Sequence, residues 1–113
     1  MKVLALIYGE EGRWDSITEE QRNEMYARYR AFGEQAGEKI LDGAELAPTR
    51  SATTVRIRDG ETQVTDGPFT ETKEAVGGFD IIEADSLEEA VEIAAGHPVA
   101  QNGTIEVRPF WGS

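Results

Sequence analysis

Hydrophobic residues fall along this chain in two alternating patterns, one with a period of two and one near 3.6, and the switches between them outline the elements. Val3 to Tyr8 is apolar at every position, so both faces of a strand there are apolar, as in a strand with material on either side. A polar loop from Gly9 to Trp14 follows. Ser16-x-x-Glu19 and Thr18-x-x-Gln21 both match the capping box, which predicts a helix beginning near Thr18. Within it Met25, Tyr29, Phe32 and Ala36 fall on one stripe, expected to face a sheet, and Gly33 and Gly37 weaken the last turns, so the helix should end near Gly37 to Lys39.

Ile40 to Leu46 reads as a short second strand, and Pro48 with Thr49-Arg50-Ser51 as an exposed loop. Thr53 to Arg58 alternates, Asp59-Gly60 signals a type I′ turn, and Glu61 to Thr65 returns, which together predict a β-hairpin. Gly78 to Ala84 predicts another strand through Phe79, Ile81 and Ile82. Ser86-x-x-Glu89 caps a short helix carrying Leu87, Ala90, Val91 and Ala94 on its apolar stripe, with Gly96 as its stop. The last strand runs from Thr104 to Arg108, and the aromatic pair Phe110-Trp111 is expected to dock on the body of the protein.

The order β-α-β-(hairpin)-β-α-β predicts an α+β fold, a split βαβ sheet with both helices on one face. Val3, Ala5 and Ile7 cannot share an apolar surface with Leu4 and Leu6, so the second face needs cover as well. A homodimer is the simplest source of that cover.

Composition narrows the field. A chain of 113 residues, residues 1–113, is one domain, and it is too short for two cores. Eleven basic against 22 acidic residues give a net charge of −11, which repels phosphate backbones and anionic lipid, so no nucleic-acid or membrane partner is expected. The N-terminal apolar run meets Glu10-Glu11 too early for a secretory signal, and a cytoplasmic location is the default expectation. There is no cysteine and one histidine, the acidic pairs lack the spacing of a carboxylate cage, and neither a phosphate loop nor a nucleophile elbow occurs. Neither a metal nor a cofactor is expected.

Candidate chemistry centres on Asp66-Gly67-Pro68-Phe69-Thr70-Glu71-Thr72-Lys73-Glu74. Pro68 fixes its own φ and restricts Gly67, so the backbone is pre-set, with Asp66 at a strand end and Phe69 expected to anchor the loop on apolar surface. Asp66 is a candidate general base; the plainer reading is a turn-forming aspartate. His97 follows a helix C-terminus, where the macrodipole favours the charged imidazole, so it is a candidate acid or simply a cap for the last carbonyls. Lys73, with Thr70 and Thr72 beside it, is a candidate holder of a small anion or else a surface ion pair. Tyr8 and Trp14 are candidate pocket walls, and core packing explains them equally well.

The same tetrapeptide Asp66-Gly67-Pro68-Phe69, with Thr70-Glu71-Thr72-Lys73-Glu74 and then Gly77-Gly78-Phe79, resembles the YCII-related, or DGPF-domain, proteins. The likeness extends to Tyr8-Gly9-Glu10, to Thr53-Thr54-Val55-Arg56 before the Asp59-Gly60 turn, and to Ile105-Glu106-Val107-Arg108-Pro109. It implies a ferredoxin-like domain that pairs into a dimeric α+β barrel. Two functions follow as expectations: a small cofactor-free enzyme in which Asp66 and His97 share proton transfer on a small anionic or cyclic organic substrate, or a non-catalytic ligand-binding or regulatory module associated with sigma-factor systems.

Overall fold

The computed structural model describes residues 1–112, apart from the side chain of Trp14, and shows a mixed α+β chain with two helices and two antiparallel sheets. Strands β1 (Lys2–Gly9), β2 (Ile40–Glu45), β3 (Thr53–Arg58), β4 (Glu61–Asp66), β5 (Ala75–Glu83) and β6 (Thr104–Pro109) alternate with helices α1 (Glu19–Ala36) and α2 (Leu87–Ala95). The main sheet has the order β2-β5-β1-β6, and β3-β4 forms a hairpin of its own. β1 is therefore central, as its two apolar faces predict.

Local signals set the boundaries. Thr18 caps α1 by accepting the Gln21 N–H, while the Gln21 side chain accepts from the Thr18 N–H, so both halves of that capping box form. The overlapping box at Ser16 does not form: its hydroxyl donates to the Arg13 carbonyl instead. α1 ends at Gly37, whose φ of 56° suits glycine and whose N–H reaches the Gly33 carbonyl. Ser86 caps α2 through the Glu89 N–H. Asp59 and Gly60 both have positive φ, 52° and 78°, as a type I′ turn demands.

Register decides which side chains share a face. Val3, Ala5 and Ile7 of β1 lie opposite Ile82, Asp80 and Gly78 of β5, and Ala5 and Ile7 opposite Val107 and Ile105 of β6. The core sits on that face: Val3, Ala5, Ile82, Ala84 and Ala90 are buried, with Ile40, Ile93, Ile105 and Val107 packed against them. α2 presents Ala90 and Ala94 to this core, while Leu87 and Val91 of the expected stripe stay 42% and 51% exposed at its edge. α1 buries only Phe32 completely and leans on the short turn after α2.

Two expectations need correction. Trp111 is fully exposed and does not dock on its own chain, whereas Phe110 is 38% exposed and its N–H donates to the Lys2 carbonyl at 3.1 Å. Phe69 is 73% exposed, and the DGPF loop is held by backbone instead. There the Gly67 N–H donates to the Ala52 carbonyl at 2.7 Å, and the Thr54 hydroxyl donates to the Gly67 carbonyl at 2.8 Å.

The chain is also broader than its length requires. Its radius of gyration is 16.2 Å, against the roughly 13 Å expected of a compact domain of this size, and its shortest dimension is 19 Å. The β3-β4 hairpin accounts for much of this: it pairs with no other strand, and Val55, Ile57 and Val64 are 61–65% exposed on one of its faces. No helix among the described residues is long and apolar enough to cross a membrane.

Candidate functional site

A cavity of about 810 Å³ opens between α1 and the sheet. One wall is aromatic, from Tyr26, Tyr29 and Phe32 of α1. The floor is the helix-facing side of the sheet around Ile7, Gly78 and Asp80, and His97 closes the inner end. The rim runs through Glu10, Glu11, Glu45 and Arg50.

Asp80 is the unexpected member. It lies on β5 at the same parity as Ile82, a position that points a side chain at the core. Across the strand pair stands Gly43, and a Cβ there would collide with Asp80 Oδ1 and approach the Phe79 carbonyl oxygen at 2.8 Å. The glycine thus leaves the space in which the carboxylate sits. Among the described residues neither a hydrogen bond nor an ion pair reaches that carboxylate, and desolvation alone raises its pKa. Gly43→Ala should displace Asp80 and cost about 1–3 kcal/mol through overpacking against the β5 backbone, which a thermal melt measures.

His97 departs from the charged acid that its position after a helix suggests. It is 5% exposed, wedged edge-on against Tyr29 and Phe32 with ring centroids 5.2 and 5.0 Å away. Its Nδ1 accepts the Val99 N–H at 3.1 Å. Burial pulls its pKa down to about 4, so the imidazole is neutral at pH 7 and carries its proton on Nε2. Desolvation outweighs the helix dipole here. Tyr29 is raised, by burial first and then by the negative charges of Glu45 and Asp80, so its hydroxyl keeps its proton.

The other candidates lie elsewhere. Asp66 ends β4 opposite Thr53, exposed on the hairpin, and is not among the residues lining the cavity that holds His97. Thr70 is exposed in the loop beyond it. Lys73 is exposed and faces Glu10 at 3.6 Å, a surface ion pair made with Glu10 and not with the adjacent Glu71 or Glu74 that the sequence offered. Tyr8 shares its β1 parity with Leu4 and Leu6, on the sheet face away from the cavity. The Trp14 side chain lies outside the described residues. At the rim, Glu11 accepts from both the N–H and the hydroxyl of Thr49, and these bonds lower its pKa. Among the described residues no group of three His, Cys, Asp or Glu side chains is set to hold a metal ion.

The family description of the YCII-related domain matches residues 1–112. The chain belongs to the YCII-related family. An uncharacterized protein of Rhizobium meliloti (strain 1021) is 46% identical over 74 residues, which are 64% of this chain and 60% of that relative's length. Among solved structures, 5-chloro-2-hydroxyhydroquinone dehydrochlorinase (TftG) from Burkholderia phenoliruptrix AC1100, in complex with 2,5-dihydroxybenzoquinone, matches with a TM-score of 0.56. That match has 21% identity and covers 97% of this chain and 93% of the other. At this identity the likeness is one of fold.

Proposed function

We propose that this YCII-related protein is a small enzyme that moves a proton on a ring-sized organic substrate, using the cavity between α1 and the sheet. The observation that carries the reading is Asp80, a half-buried carboxylate without a partner, aimed into a cavity it shares with a neutral histidine and a protonated tyrosine. A carboxylate in such surroundings binds a proton more readily than one in water, and so works as a base nearer neutral pH. It takes a proton from carbon beside a carbonyl and becomes the acid, while the electron pair moves onto the carbonyl oxygen. The Nε2–H of His97 and the Tyr29 hydroxyl are donors suited to that oxygen, and the aromatic wall suits a flat ring. The fold likeness to a dehydrochlorinase, which bears the name of a reaction on a ring compound, agrees with this class of chemistry.

The ferredoxin-like sheet pairs with that of a second copy to form a dimeric α+β barrel. Support comes from the sheet face opposite the helices, where Leu4, Leu6, Phe79 and Ile81 are only half-buried, and from the apolar face of the hairpin. A lone two-stranded hairpin is marginal in water, so cover from a partner accounts for its persistence. Light scattering should return about twice the 12.4 kDa of the chain, and a monomer at micromolar concentration would sink the barrel.

The test of the enzyme reading is a screen of ring-sized carbonyl compounds, by proton exchange or turnover, against the wild type and Asp80→Asn in parallel. Exchange that the variant retains undiminished overturns it. Ligands that bind but never exchange protons identify a binding module instead.

A further inference from the structure

The charges around the cavity are unbalanced. Among the described residues five carboxylates line it, from Glu10, Glu11, Asp15, Glu45 and Asp80, against the guanidinium of Arg50. Two of the five have cationic company: Lys73 faces Glu10, and Arg50 lies within electrostatic range of Glu11. Glu45 and Asp80 do not. They sit on the same sheet face as diagonal neighbours, since Glu45 pairs with Gly78 and Gly43 pairs with Asp80. Among the described residues neither carboxylate has an ion-pair partner, and both lie close enough to Tyr29 to add to the rise in its pKa that burial chiefly causes. Two like charges beside one tyrosine face leave an unmet preference for a cation.

From this arrangement we infer that the substrate carries a protonated amine, held by Glu45 and the aromatic wall of α1, and that carboxylate-bearing ring compounds are excluded. The inference rests on the cavity being the functional site, and it reverses the expectation of an anionic ligand held by Lys73. Lys73 is matched outside the cavity, and among the described lining residues the one full positive charge is the rim guanidinium of Arg50, while Tyr29 and His97 offer only neutral donors. The division of labour is consistent: Asp80, seated over Gly43 on the floor, faces the reacting carbon, while the more exposed Glu45 takes the fixed positive charge. A cation at Glu45 also lowers the energy of an electron-rich intermediate formed nearby, so binding and chemistry pull in the same direction.

The experiment compares three probes of nearly equal size, benzylamine, benzyl alcohol and benzoate, by calorimetry at neutral pH and moderate salt. Benzylamine, as its ammonium ion, should bind about tenfold or more tightly than either of the others, and Glu45→Gln should remove most of that preference. Benzoate binding as well as benzylamine overturns the inference while leaving the proton-transfer reading to the Asp80→Asn screen, which does not depend on ligand charge. A preference for benzylamine that survives Glu45→Gln also overturns it, because the ammonium is then recognised elsewhere. Failure of all three probes to bind up to about 10 mM counts against the inference too, since a site shaped for a ring and a cation should register the smallest molecule with both.

Discussion

Asp80→Asn should lower turnover on the order of 10²–10⁴-fold while leaving the melting temperature unmoved or slightly raised. Both halves come from one observation, the desolvation of a carboxylate that has no partner. Asparagine keeps the shape and fits the space over Gly43, yet it cannot accept a proton, so a base is lost without a cavity being made. A carboxyl whose pKa is raised by folding is one whose charged form the fold disfavours, so neutralising it removes a cost. A structural ion-pair residue would behave in the opposite way, because its removal strands a partner. Asp66→Asn is the matched control: its carboxylate is exposed at the end of the hairpin, outside the cavity lining, so turnover and melting should both stay near wild type. Kinetics beside thermal melts for the two variants decide the matter. A collapse of activity in Asp66→Asn with Asp80→Asn intact would move the base to the DGPF loop and undo the assignment.

What could be read from the sequence is what is local. The Thr18 and Ser86 caps, the positive-φ turn at Asp59-Gly60 and the two-faced β1 each depend on residues within a few positions, and each appears in the structure as the pattern implies. The DGPF stretch marks a rigid turn correctly, but rigidity does not say where the turn points, and it closes a hairpin that stands apart from the cavity. Asp80 does carry a signal, since a charge two residues before Ile82 in a strand falls on the core side by simple alternation. A reading guided by apolar residues alone passes over it. The state of His97 carries no such signal: the dipole argument uses α2, whereas burial comes from Tyr29 and Phe32, more than sixty positions earlier in the chain.

That same burial makes His97 an acid-sensitive joint between α1 and the turn after α2. Its pKa falls from 6.5 in the unfolded chain to about 4 in the fold, and burial is the cause. Between these values the unfolded state binds the proton and the folded state does not, so stability rises with pH. The neutral imidazole therefore supports the fold fully above about pH 6.5, and this contribution, on the order of 2–3 kcal/mol, drains away as the pH falls toward about 4. Glu11 and Glu89, both lowered by hydrogen bonds, also lose their contribution in acid, so the wild-type curve alone is not diagnostic. His97→Phe separates the effects. It keeps an aromatic ring against Tyr29 and Phe32 but does not titrate, and it leaves the Val99 N–H without its acceptor, which costs about 1–3 kcal/mol at neutral pH. The variant should start less stable and then fall less steeply on acidification, so that the two stability curves converge between pH 6.5 and 4 in urea titrations. Parallel curves over that window would mean that His97 charges without disturbing the joint, and the imidazole would then be free to act as an acid after all.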